Sequence, residues 1–143
     1  MSTAQQLTQV FNDNFVAYFR SHIAHINIVG RNFASDHALL GGIYEELQGE
    51  IDHIGELLRS IGEFAPCCVA DVVDGSHILD DMMDGSADEM LASVRDNLDH
   101  LKGCYEELMV IANAEGHEPI GNYAQDRILA LAKQIWMLDS TLA

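Results

Sequence analysis

The chain has 143 residues and a net charge of −16, with 7 Lys and Arg against 23 Asp and Glu. That length suffices for one sizeable core, so a single domain over residues 1–143 is expected. The charge argues against nucleic-acid binding, which draws most of its affinity from Lys and Arg neutralising phosphates. No stretch approaches the ~20 apolar residues of a membrane span. The opening MSTAQQLTQVFNDNF lacks the basic region and apolar run of a secretory signal. A cytoplasmic location is therefore expected, and reduced thiols at Cys67, Cys68 and Cys104 fit it.

The first helix is predicted over Thr3–Val29, on a 3.6-residue stripe of Leu7, Phe11, Phe15, Tyr18, His22, His25 and Val29. Gly30 and Asn32 end it, and Ser35 is read as the cap of a second helix over Asp36–Ile61. The second stripe is Leu40, Tyr44, Leu47, Ile51, Ile54, Leu58 and Ile61, interrupted by Gly41 and Gly42. Each glycine there costs roughly 1 kcal/mol relative to alanine, so a close neighbour or a bulge is expected. A long connection, Gly62–Gly85, follows, and a short helix is placed at Ser76–Met83 with its DDMMD run solvated. Ser86–Glu89 forms a capping box for the third helix, whose stripe is Met90, Val94, Leu98, Leu101, Tyr105, Leu108 and Ala112. His100 and Cys104 lie four residues apart in it and are read as packing residues. Gly116 ends this helix, and the fourth runs over Pro119–Leu142 on Ile120, Tyr123, Ile128, Leu131, Ile135, Leu138 and Leu142. No segment carries a sustained strand period, so the fold class is all-α, a four-helix bundle.

Two pairs of metal-ligand residues stand out. His25 and His37 flank the first turn at similar distances, so an antiparallel hairpin brings them to one height. Asp52 and Glu56 lie four apart on one face of the second helix. His37 and Asp52 are separated by roughly 22 Å at ~1.5 Å of helix rise per residue. Metal–ligand bonds measure only ~2.0–2.2 Å. One metal within one chain therefore cannot take both pairs. Either they are unrelated, or a second subunit brings its Asp52 and Glu56 to this subunit's His25 and His37, giving two identical sites about a two-fold axis.

The set His25, Asn27, Gly30, Phe33, His37, Tyr44, Asp52, Glu56 and Ile61–Gly62, with Ile135–Leu138 late in the chain, resembles the Dps-like mini-ferritins over essentially the whole length. The resemblance implies ferritin-like connectivity, with a long crossover between the second and third helices. It also implies a homo-oligomeric hollow dodecamer of cubic-type symmetry. In such a shell Fe²⁺ is oxidised, with hydrogen peroxide or O₂, at a di-iron centre shared between subunits, and stored as Fe³⁺ mineral. By the match of positions, His25, His37, Asp52 and Glu56 are the catalytic and metal-binding residues, with His22 a further candidate ligand. Zinc is a candidate competitor for the site. Gly41 stands where relatives carry an acid that helps hold the second metal, and Ile26 where many have Trp. The pore position measured back from Trp136 falls at Asn122, with Glu118 and Asp126 as the neighbouring carboxylates. Relatives that bind DNA directly use a basic tail. Here no Lys or Arg precedes Arg20 and the chain ends DSTLA, so direct DNA binding is not expected.

Two alternative readings stand beside this one. Glu50-x-x-His53 matches one element of a di-iron centre built inside one bundle. Such a centre needs a second E-x-x-H and further glutamates, and the first helix holds no Glu. Glu50 and His53 are therefore expected to be solvated or part of an acidic lining. The other alternative keeps the shell but makes it a buffer for zinc or a single iron, without efficient turnover.

Overall fold

The computed structural model describes residues 1–143. Five helices follow in order: α1 (Thr3–Asn27), α2 (Phe33–Ser60), the short α3 (Val69–Gly75), α4 (Ala87–Ala114) and α5 (Glu118–Leu142), with no strand. The four long helices form the bundle, and α3 rides on the crossover between α2 and α4.

Side-chain pairings give the helix directions. Asn14 Nδ2 donates to the Leu47 carbonyl at 2.9 Å, while His25 meets His37, so α1 and α2 are antiparallel. Thr3 donates to Glu115, and Gln6 Nε2 to the Cys104 carbonyl; Arg20 Nε reaches Asn97. Hence α1 and α4 are antiparallel as well. It follows that α2 and α4 run parallel, which is why the chain must cross the length of the bundle between them. In agreement, the Asp36 carboxyl at the start of α2 is pushed above its usual range by burial and by Asp88 at the start of α4. This is the ferritin-like arrangement anticipated from the long connection.

The core stripes of α4 are buried as predicted, from Met90 through Ala112. Leu40, Leu47, Ile54 and Leu58 do the same for α2, as do Ile120, Leu131, Ile135 and Leu138 for α5. On α1 the inward line is instead Thr3, Leu7, Val10, Asn14, Ala17, Ser21, Ala24 and Ile28. The aromatic line of Phe11, Phe15 and Tyr18 sits half-buried at its edge, and Val29 is exposed.

Three local expectations are corrected. Ser35 does not cap α2. The helix begins three residues earlier than expected, at Phe33, and Ser35 Oγ donates back to the Asn32 carbonyl at 3.1 Å from within the first turn. The earlier start lets Phe33 stack on His37 with ring centroids 4.9 Å apart. Gly30 makes the turn with φ +144°, and its backbone passes against Ala87.

The short helix lies at Val69–Gly75, not at Ser76–Met83. The latter segment is non-helical and is tied to α1 by side-chain contacts. Asp13 Oδ1 takes the Ser76 hydroxyl at 3.1 Å and the His77 backbone N–H at 2.7 Å, while Arg20 Nη1 donates to the Asp81 carbonyl at 2.7 Å. Ile78 and Met83 then plug the segment into the core.

His100 and Cys104 are not simple packing residues either. Both contact the fully buried Asp13 carboxylate: His100 Nε2 lies 3.0 Å and Cys104 Sγ 3.1 Å from its Oδ2. The capping box at Ser86 forms as expected, with Glu89 N donating to Ser86 Oγ at 3.1 Å.

Candidate metal centre

His25 and His37 come together at the turn end of the α1–α2 hairpin. Their rings stack with centroids 3.7 Å apart and planes inclined by 16°. Each Nδ1 lies 2.7 Å from the other residue's backbone carbonyl. A carbonyl oxygen only accepts, so both Nδ1 atoms must carry the proton and donate. In the neutral form of each ring the Nε2 lone pair is thereby left free. That is the tautomer a histidine ligand needs, fixed in advance by its second nitrogen. Both residues are half-buried, so the pair stays accessible from outside the subunit.

Gly41 explains how the pair fits. A Cβ there would sit 3.1 Å from His25 Cε1 and 3.3 Å from Nδ1, so the missing side chain makes room for the imidazole. Gly42 meets nothing within 4 Å and carries no such constraint. Gly41→Ala should raise helix propensity by about 1 kcal/mol while pushing the His25 ring off its carbonyl partner. Thermal stability should hold or rise and metal affinity should fall about tenfold or more, the size expected for a ligand-orienting group. Differential scanning calorimetry and metal titration on the same sample check this.

His22 lies one turn before His25 on α1. Its Nδ1 is bonded to the Tyr18 hydroxyl at 3.0 Å, and its ring stacks on Tyr44 at 3.9 Å. Its centroid lies 6.3 Å from that of His25. Within one chain His22 therefore serves an aromatic ladder of Tyr18, His22, Tyr44 and His25.

Asp52 and Glu56 lie far down α2 from His37, on an exposed strip with Gln48, Gly55 and Arg59. The structure thus brings the two histidines together and leaves the two carboxylates apart from them. Glu118, Asn122 and Asp126 are all exposed along the first turns of α5.

Glu50 corrects another expectation. It is buried rather than solvated, and belongs to a polar network across α2 and α5. Tyr123 donates its hydroxyl to Glu50 Oε2, and His53 Nδ1 lies 3.1 Å from the same oxygen. Arg127, itself buried, pairs with Glu46 at 2.5 Å and stands 3.6 Å from Glu50; Gln134 Nε2 donates to Glu46 at 2.6 Å. A fixed guanidinium thus pairs with Glu50, the carboxylate that an internal di-iron centre would need as a metal ligand. His53 remains exposed, as expected. Burial pushes the Tyr105 phenol up to about 12, and burial with Glu50 raises that of Tyr123, so both stay neutral hydrogen-bond donors. Nothing in the spacing of Glu46, Arg127 and Gln134 marked this network; only the approach of α2 to α5 assembles it.

The family model described as the ferritin-like domain matches residues 4–143. Antigen TpF1 of Treponema pallidum is 30% identical over 96% of this chain and 78% of its own. The DNA protection during starvation protein of Helicobacter pylori is 24% identical over the full length of both chains. The crystal structure of a Dps protein from Bacillus brevis superposes with a TM-score of 0.94 at 27% identity, covering 99% of this chain and 95% of that one. With the helix order, the crossover and the hairpin histidines already in place, the chain belongs to the ferritin-like domain family, among its Dps-like members.

Proposed function

We propose that the chain is the subunit of an iron-oxidising and iron-storing shell. In this reading its 143 residues act as one unit. Fe²⁺ is the substrate, bound by His25 and His37 of one subunit with Asp52 and Glu56 of a two-fold mate. The observation that carries it is the reciprocal locking of His25 and His37. In their neutral form the two imidazoles present free Nε2 atoms, but no carboxylate of the same chain accompanies them. The only other matched acids are about four helical turns away, ~22 Å along α2 at ~1.5 Å per residue, and exposed. A second copy packed head-to-tail supplies what each chain lacks.

Imidazole suits Fe²⁺, and carboxylates favour the Fe³⁺ that forms. With hydrogen peroxide as oxidant, each of two Fe²⁺ ions gives up one electron. Peroxide takes both, with two protons, and leaves as two waters. Ferric iron then moves to acidic surfaces, which the charge of −16 provides. Trp136, 64% exposed in the single subunit, fits a contact between subunits. The family resemblance points to twelve subunits, with entry openings drawn from Glu118, Asn122 and Asp126. No helix is long and apolar enough to cross a membrane. Direct DNA binding forms no part of the reading.

Anaerobic Fe²⁺ loading followed by stoichiometric peroxide tests it. Rapid growth of Fe³⁺ absorbance is expected, with the iron eluting from a sizing column in a particle of about twelve subunits. Oxidation no faster than in protein-free buffer sinks the ferroxidase. Gly41 favours one second reading, since it provides no acid for a second metal. There the shell buffers zinc or a single iron, and shows slow oxidation with tight Zn²⁺ retention.

A further inference from the structure

A second cluster of ligand-type side chains lies midway along α1, on the side facing α4. Asp13 is fully buried and carries a carboxylate whose only ion-pair partner is a histidine, His100. A buried carboxylate without a full cationic partner is costly. One donor atom each from Asp13, His77 and His100 falls within 4.8 Å of the others. Cys104 Sγ lies 3.1 Å from Asp13 Oδ2 and 3.5 Å from His100 Nε2, and these two ligand atoms are 3.0 Å apart. A tetrahedral ion with bonds of ~2.0–2.3 Å places its donors roughly 3.3–3.6 Å apart. The 3.5 Å edge falls within that spacing, and the 3.0 and 3.1 Å edges are a few tenths of an ångström shorter, as hydrogen-bond contacts are.

We propose that Asp13, His77 and His100 bind a zinc-class divalent cation, with the Cys104 thiolate as fourth ligand. Two imidazoles, one thiolate and one carboxylate suit Zn²⁺ better than a hard, all-oxygen ion. The supporting shell is in place: Asp13 Oδ1 is held by Gln9 Nε2 at 3.0 Å, Ser76 Oγ at 3.1 Å and His77 N at 2.7 Å, which leaves Oδ2 turned to the site. His77 sits on the crossover between α3 and α4, with its ring centroid 6.2 Å from that of His100. A bound ion therefore pins the crossover to α1 and α4. Binding releases the Cys104 thiol proton to solvent and moves the His100 proton to Nδ1, so that Nε2 can coordinate.

The test uses full-length protein carrying His25→Ala and His37→Ala, so that the hairpin imidazoles contribute nothing, and it is independent of the iron reading. Co²⁺ is the probe. Expected are one cobalt per chain, the intense visible bands of tetrahedral Co²⁺, and a near-ultraviolet thiolate band, all displaced by Zn²⁺. His77→Ala, an exposed change, should weaken binding about tenfold or more, and Cys104→Ser should remove the near-ultraviolet band. Cobalt uptake indifferent to His77→Ala, or a weak octahedral spectrum, overturns the site. A thiolate band that survives Cys104→Ser, or is absent from the start, overturns the assignment of the fourth ligand.

Discussion

Subunits lacking His25 and His37, co-assembled with subunits lacking Asp52 and Glu56, should regain about a quarter of the wild-type oxidation rate, although each variant alone is inactive. The figure follows from two-fold symmetry. Random mixing of equal amounts makes about half of the pairs mixed. In a mixed pair one site joins two damaged halves, and the other joins an intact histidine pair to an intact carboxylate pair. One site in two is restored in half of the pairs. Asp52→Ala alone should lower the rate at least ~100-fold, at or beyond the upper end of what orienting groups cost, with helix content unchanged, since Asp52 is exposed. The measurement is Fe³⁺ absorbance after peroxide addition, on variants mixed in denaturant and refolded. If the mixture stays as inactive as its parents although mixed pairs form, the shared site is wrong. If Asp52→Ala alone retains the original rate, the carboxylates belong to something else.

Arg127→Met should destabilise the subunit by about 3–5 kcal/mol, the usual cost of removing one partner from a buried ion pair. The side chain of Arg127 is only 6% exposed, and it serves both Glu46 and Glu50. Its removal leaves Glu50 buried with hydrogen bonds from Tyr123 and His53 but without its strong cation. The triple change Arg127→Met, Glu46→Leu and Glu50→Leu should recover most of that loss, because no charge is then left buried without a partner. Chemical denaturation of the two variants checks it. Equal stability of wild type and Arg127→Met would show that water reaches the network and that the ion pairs contribute little. Neither variant touches His25 or His37, so initial iron binding should be unchanged in whatever fraction stays folded.

These two results would probe parts of the molecule that were unequally visible in the residue order. The four long helices were legible because apolar residues recur at helical spacing, and because Ser86–Glu89 and Gly116 mark their ends with local chemistry. The hairpin pair was legible for the same reason: a short turn places His25 and His37 at one height. The position of the short helix was not. Ser76–Met83 has an acceptable helical composition, but its course is tied to Asp13 and Arg20, which precede it by about sixty residues. Ser35 illustrates the same limit on a smaller scale. Its type suits a cap, yet the Phe33–His37 stack favours an earlier start for α2.

Residue order by itself determined the helix count, the His25–His37 pair and the impossibility of closing that pair with Asp52 within one chain. All of these depend on periodicity, turn chemistry or a fixed rise per residue. Only the tertiary structure decided the proton positions on the two histidines, the part Gly41 plays beside His25, and the burial of Glu50 against Arg127. It alone brought Asp13, His77, His100 and Cys104 together. Each of these rests on contacts between residues remote in sequence or on side-chain orientation. Neither follows from spacing, because the same hydrophobic pattern is compatible with many polar pairings and only the packed bundle selects one.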